Sequence, residues 1–466
     1  MANKNYNFRL LTSLFFMWGF ITVMNDVLIN TFKGIFDLSA PQRALIQFSF
    51  FGAFFIVSLV YFIISSVNGI DPINKIGYKK GMFVSLLVCG IGCILFYPAS
   101  LAHSYTGFLL ALFTLASGVT LLQICANPYA TILGDKASSS SRLNMAQGLN
   151  SLGTTLGPLV GTILIYKVFS DGILTVESVA NTYLIYGSIF IVISFVVLAS
   201  KMPSFQNTQV IPPGIGVLKN KHLLLGIFAI AFYVGSEVSI GSWIVEFIKH
   251  EDIAGLDEVS ASYFLSFFWG GLMIGRLMAG ISLNSDLTNN EKYVRMAIFA
   301  LGAFAVIYVA TGIKFHDGHF EFSALPFVQI APYLLLMMIC FMAFAITFNK
   351  PAKSLAVFSS INAVLLLIGI VFKGEIAFWA IVGSGLFFSV GWSNIFSLAI
   401  KDLGNYTSQG SSLLVMAVVG GALIPGAQSF VIEGYGVQLS FIIPLIGMAY
   451  LIFYGVKGHK IQRQPA

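Results

Sequence analysis

The stretch FRLLTSLFFMWGFITVMNDVLIN, residues 8–30, decides the class of fold. From Leu10 to Asn25 it carries no charge. A helix rising 1.5 Å per residue over that stretch crosses most of a hydrocarbon core about 30 Å thick. It has no small-residue cleavage site, so it reads as a retained spanning helix and not as a secretory signal. Near its far end, still inside the apolar run, stand Asn25 and Asp26. Working outward from this segment, runs of the same kind recur at about 44–66, 82–100, 106–134, 143–168, 180–200, 223–248, 260–283, 294–313, 326–347, 354–372, 376–399, 411–432 and 438–456. They are long and lack period-two alternation, which predicts fourteen spanning helices and excludes a transmembrane barrel.

Composition agrees. The chain has 466 residues, of which 25 are basic and 19 acidic, so only 9% are charged. A soluble domain carries about 25%. Hydrophobic residues make up 57%, which excludes disorder. Cys89, Cys93, Cys125 and Cys340 all lie inside apolar runs without metal-ligand spacing, so they read as small core residues. No paired catalytic acids, metal cluster or nucleophile motif is legible, so neither an enzyme nor a cofactor is expected.

The net charge of +6 does not point to nucleic acid, because the basic residues flank apolar runs in small groups. With the N-terminus in the cytoplasm and the fourteen runs alternating, eighteen basic residues fall inside and six outside, with Arg276 within the eighth run. That is the positive-inside bias. It predicts cytoplasmic termini and a multi-pass membrane protein.

The longest polar connection, about 201–222, separates a six-span bundle (1–200) from a second bundle (223–457) followed by a short tail (458–466). A faint repeat links the two. YATILGDKASSSSRLNMAQGLNSLGTTLGP (129–158) and LAIKDLGNYTSQGSSLLVMAVVGGALIP (398–425) both run Leu-Gly, a polar turn, Leu-x-Met-Ala and a Gly-rich helix ending at Pro. Parallel repeats of this kind mark major-facilitator transporters, whose site lies near the bilayer midplane.

Only two acidic residues lie deep in apolar runs: Asp26 in the first and Glu237 in the seventh. A charge at the bilayer centre costs about 2.5–3.5 kcal/mol even on the lenient insertion scale. A buried carboxyl also binds its proton more tightly, so these two are the expected cation-coupling residues. A sugar site is expected around them. Asn25 adjoins Asp26; Gln123 and Asn127 share a face, as do Gln147 and Asn150. Amides donate and accept hydrogen bonds as sugar hydroxyls do. The alternative use of each amide is interhelical hydrogen bonding. Tyr233 lies one turn before Glu237, and Trp392 sits among Ser389, Ser393 and Asn394. Tyr233, Trp392 and Asn394 complete the expected binding set. Arg276 and Arg142 are read as gating or structural residues, with Arg276 either snorkelling to the inner interface or pairing at a cytoplasmic gate.

These residues carry a resemblance over most of the chain. Leu14 to Gly19 with Asn25-Asp26, Leu45-Ile46-Gln47, Gly77 to Gly81, Ala126-Asn127-Pro128-Tyr129, Arg142-Leu143-Asn144 through Asn150-Ser151, Tyr233-Val234-Gly235, Gly275-Arg276, Ile395 to Leu398 and Met416 to Pro425 resemble the fucose/galactose/glucose:proton symporter family of the major facilitator superfamily. The resemblance implies an all-α fold of two pseudo-symmetric six-helix bundles. In the fucose branch one of two membrane carboxylates matches Asp26 and the other falls at Gln123, which cannot titrate. That branch has an amide where Glu237 stands. The chain is therefore similar to a hexose or N-acetylhexosamine branch, and Gln147 and Asn150 match positions lining the sugar cavity. The family has twelve spans. Residues 294–347 stand out against it as an inserted, peripheral two-helix hairpin.

The expectation is a monomeric symporter in the lipid bilayer that imports a monosaccharide with H+. Na+ coupling and passive facilitation are the alternatives. An antiporter-like respiratory subunit is disfavoured, because such subunits use membrane lysines and the helix centres here have none.

Overall fold

The computed structural model describes residues 2–36, 38, 40–69, 71–170, 175–206, 213–316 and 319–461. The chain begins with helices α1 (Ala2–Phe36), α2 (Ala40–Asn68), α3 (Tyr78–Ile94), α4 (Tyr105–Ile132), α5 (Ser139–Ile163) and α6 (Val176–Ala199). Then come α7 (Lys221–Lys249), α8 (Glu258–Ser282), α9 (Asn289–Gly312), α10 (Phe327–Ala345) and α11 (Pro351–Val371). The last are α12 (Gly374–Phe388), α13 (Gly391–Ala399), α14 (Thr407–Met416), α15 (Gly420–Tyr435) and α16 (Ile442–Phe453).

Among the described residues, 13 spans are long and apolar enough to cross a membrane, and they match every expected segment but the fifth. Helix α5 occupies that segment, extended by a π-turn over Leu164–Val168. Its Gln147, Asn150, Ser151, Thr154 and Thr155 keep it more polar than the rest. The all-helical fold carries one local addition. Between α9 and α10, Ile313–His316 pairs antiparallel with His319–Phe322, Ile313 facing Phe322 and His316 facing His319. Aromatic residues suit strands, and the intervening Asp317-Gly318 is a hairpin signal in sequence that lies outside the described residues.

The chain forms two compact units. The first comprises Met1–Leu133, Leu152–Lys219 and Asp402–Met416; the second comprises Gly134–Ser151, Asn220–Lys401 and Ala417–Ala466. Each unit thus takes in one short segment from the other side of the 201–222 connection. Those two segments fall within the repeated stretches of the sequence. Gly134 and Gly404 both have positive φ, 152° and 55°, which turns the chain sharply into a short 3-10 stretch before α5 and α14.

In the first unit α3 packs on α4 and α6, and α2 packs on α4 and α14. Pro128 inside α4 has no N–H to give the carbonyl of Ile124. That carbonyl accepts instead from the Ser411 hydroxyl of α14 at 3.1 Å.

Close by is a buried carboxylate that hydropathy did not single out. Asp71 is 1% exposed and caps the short helix Pro72–Ile76. It accepts from Tyr61 (2.7 Å), Ser65 (3.0 Å) and the Asn74 backbone N–H (3.0 Å). The cluster extends to α14 and the turn before it. Gln409 donates to Ser65, Ser408 to the Asn74 side chain, and the Asn74 amide to the Asn405 carbonyl. Burial pushes the Asp71 carboxyl above its ordinary range, against the hydrogen bonds that pull it down.

In the second unit α7 packs on α13, α15 and α16, and α8 packs on α9 and α12. Adding a Cβ at Gly385 would strike the backbone oxygen of Phe268, so α12 and α8 approach as closely as glycine allows. Helices α9 and α10 dock here. The Tyr333 hydroxyl of α10 donates to the Phe267 carbonyl at 2.9 Å, and Lys292 of α9 donates to Asn349 at 2.7 Å. The two are among the least buried of the spans. Large apolar residues face outward, Val328 at 86% and Phe430 at 76% exposure, as a lipid-facing surface requires.

Two outcomes test this packing. Gly385→Val should lower the thermal midpoint of the detergent-solubilised protein, by overpacking worth about 1–3 kcal/mol. Gly302→Ala, with nothing within 4 Å of an added Cβ, should leave it unchanged or raise it slightly. Equal losses would refute the close α8–α12 approach.

Asp71→Asn removes a titration. With its pKa raised, Asp71 binds more protons in this fold than when unfolded, so its contribution falls as pH rises from the ordinary carboxylate value, about 3.9, to the raised one. The stability of wild type relative to Asp71→Asn should therefore be highest at acid pH and decline through that window. A constant difference in thermal midpoints across pH would refute it.

Candidate functional site

Glu237 and Tyr233 are four residues apart on α7 and therefore share a face. The neighbouring face is held by packing on α16, where Ser236 donates to the Pro444 carbonyl at 3.4 Å. Tyr233 is 1% exposed and lies against the start of α13, where any Cβ at Gly391 would meet its ring. On α8, an added Cβ at Gly275 would collide with Ser389, so the helix comes in tight and delivers Arg276 inward.

Of the two uses expected of Arg276, snorkelling to the inner interface or pairing at a gate, the structure has a buried, paired guanidinium. Arg276 is 9% exposed and Glu237 8%, and the two form an ion pair at 3.3 Å. The same Nη2 lies 3.4 Å from the Tyr233 hydroxyl, while Nη1 donates to Ser151 of α5 at 2.7 Å. Nε has no hydrogen-bond partner. The reason is energetic. A guanidinium delivered to this depth needs an anion, and Glu237 needs a cation or a proton. Removing one member of such a pair costs about 3–5 kcal/mol.

Helix α5 brings the expected amides to the same unit. Gln147 is 3% exposed and Asn150 7%, the latter adjoining Ser151. The start of α5 is fastened by polar contacts. Asn144 donates to the Asn394 side chain at 2.9 Å, and Ser140 and Ser397 share a hydrogen bond at 2.7 Å. Asn394 also donates to the Pro351 carbonyl at 3.2 Å and is fully buried. Its amide is committed to the protein, which corrects its expected place in the sugar set. Trp392 is 6% exposed, stacks on Phe396 with centroids 6.1 Å apart, and leaves its Nε1 without a partner. An indole N–H held dry and unpaired is suited to a hydroxyl acceptor. Arg142 is half-buried against Gly134, with Asp135 and Asp286 as its neighbouring charges.

The remaining expected residues belong to the first unit. Asn25 donates to Gln47 at 3.0 Å and keeps its own Oδ1 unpaired. Gln123 and Asn127 are buried at 3% and 0%. Asp26 lies in α1, and its side chain is outside the described residues. Sequence reasoning missed Asp71 and Ser151. Asp71 sits in a polar loop where hydropathy raises no alarm. Ser151 is one of many serines, and only the nearby Arg276 distinguishes it.

No family model matches the chain. Curated proteins do. A glucose/galactose transporter of Brucella abortus is 38% identical, covering 98% of this chain and 96% of its own. A putative glucose/galactose transporter of Helicobacter pylori is 34% identical over 97% of this chain and 96% of its own. The L-fucose-proton symporter of Escherichia coli is 26% identical over 96% and 92%. Among solved structures, the E. coli fucose:proton symporter FucP shares the fold, with a TM-score of 0.72 at 24% identity over 97% of this chain and 98% of that one. The chain belongs to the fucose/galactose/glucose sugar-transporter family of the major facilitator superfamily.

Proposed function

We propose that the protein is an alternating-access symporter that imports a monosaccharide with a proton. The observation that carries this reading is the buried Glu237–Arg276 pair. A passive facilitator needs no carboxylate at this depth, and a carboxylate opposed by a fixed guanidinium can exchange that partner for a proton. The names of the relatives, glucose/galactose transporter and L-fucose-proton symporter, support a sugar substrate and proton coupling. The substrate class is a hexose or N-acetylhexosamine. The amide at Gln123 and the carboxylate at Glu237 set the chain apart from the pattern expected of a fucose carrier.

In this reading Asp26 and Glu237 hold the coupling ion, one in each sequence half. Residues 1–200 and 223–457 are the two bundles, joined by 201–222. Gln147, Asn150, Tyr233 and Trp392, with Asn25, Gln123 and Asn127, receive the sugar. The protein acts as a monomer in the bacterial inner membrane with both termini in the cytoplasm.

In inside-out-free membrane vesicles, an inward proton gradient should drive glucose or galactose above equilibrium, and a protonophore should abolish that accumulation. An inward Na+ gradient alone should not drive it; accumulation under Na+ alone would replace the proton by sodium. Glu237→Gln and Asp26→Asn should each lose accumulation while retaining sugar exchange across the membrane. Full concentrative uptake by either variant would remove that residue from the coupling mechanism.

A further inference from the structure

Arg276 bridges two things at once. Its Nη2 faces Glu237 at 3.3 Å and Tyr233 at 3.4 Å, and its Nη1 is held by Ser151 at 2.7 Å. Ser151 is 2% exposed and follows Asn150 directly on α5. It also lies four residues after Gln147, one turn along the same face. The guanidinium is therefore tied at one end to the carboxylate and at the other to the helix that carries two amides of the proposed sugar site. It is a planar fork, and two of its nitrogens serve the two ends, so movement of α5 is transmitted to Glu237 as a change in cation distance.

We infer that Ser151 is a positioning residue that links sugar occupancy to ion occupancy by holding Arg276 against Glu237. This rests on the symport reading above and deepens it. With α5 as seen here, Arg276 occupies the place beside Glu237 and competes with the coupling proton. Sugar bound at Gln147 and Asn150 shifts α5, draws Nη1 with Ser151, and weakens the guanidinium's hold on the carboxylate. The proton then loads. The relation is reciprocal: a protonated Glu237 releases Arg276, frees α5 and favours sugar. The neighbourhood fits this role. Tyr233 stabilises either partner, and Nε of Arg276 is unpaired, so the fork is fixed mainly through its two ends.

The groups facing the pair are Tyr233 on α7 itself and Ser151 from α5, and the two charged partners stand on α7 and α8. Ser389 and Phe388 close the site from the end of α12, against Gly275 and Tyr233 respectively.

The test is the pH profile of gradient-driven uptake in vesicles, measured for wild type, Ser151→Ala and Ser151→Thr at low and saturating galactose. In Ser151→Ala the pH of half-maximal uptake should move up by about one unit, the worth of one hydrogen bond to a charged group. The displacement of that midpoint by galactose, present in wild type, should disappear. Ser151→Thr keeps the hydroxyl and should restore both. A purely structural serine would change the amount of transporter or its maximal rate and leave the midpoint in place. If Ser151→Ala fails to reach the membrane, Arg276→Lys gives the same reading: it keeps the charge but cannot span both ends, so its midpoint should also rise and lose its sugar dependence. A wild type without gradient-driven uptake sinks the symport reading and this link with it. A gradient-driven wild type with unshifted midpoints in these variants overturns the Ser151 link alone.

Discussion

Hydrocarbon offers no partner to a polar group, and this constraint governs the whole molecule. Each backbone N–H and C=O in the bilayer must be met from within the protein, and each charge must be paired or neutralised. The structure answers both demands locally. Where Pro128 leaves the Ile124 carbonyl without its helical donor, the Ser411 hydroxyl fills the place. Where α8 carries Arg276 into the interior, Glu237 waits one ion-pair distance away. The outward faces carry residues such as Val328 and Phe430, for which lipid is the natural neighbour.

The same constraint explains where the polar residues collect. The described chain concentrates them in two places within the second unit and one in the first. One is the fastening of α5 through Asn144, Ser140, Asn394 and Ser397. Another is the Glu237–Arg276–Ser151 chain. The third is the Asp71 cluster with Tyr61, Ser65, Asn74, Ser408 and Gln409. All three involve the repeated turns at 134–138 and 403–406 or the helices that follow them. The repeat is thus a structural device. A glycine with positive φ turns the chain, and the small hydroxyl residues after it hydrogen-bond to helices of the unit into which they pack.

Buried ion pairs do not by themselves stabilise a fold, so the persistence of one at Glu237 calls for another explanation. The proposed symport cycle supplies one. A carboxylate that must be ionised in one state and protonated in another needs a cation available in the first and removable in the second. An arginine tethered by a serine on a different helix meets that requirement, whereas one free to reach water would not oppose the proton. Glycines at 275 and 391 matter here as spacers, since a methyl group at either would push apart the helices that bring the pair together.

Much of this was legible in the amino-acid sequence. The apolar runs locate thirteen of the fourteen segments as candidate spans because hydropathy over about 20 residues reports a one-dimensional requirement, the thickness of the bilayer. Scarcity of charge made Glu237 conspicuous for the same reason. Partnership was not legible. Arg276 and Glu237 are 39 residues apart, Asn144 and Asn394 are 250 apart, and Asp71 is enclosed by residues from both ends of the chain. Hydropathy at Arg276 was equally compatible with snorkelling, and at Asn394 with a sugar contact. The sequence by itself determined which segments enter the membrane and which charges are costly there. Only the tertiary structure decided how each cost is met, because that depends on which helix faces are brought within three or four ångströms of one another.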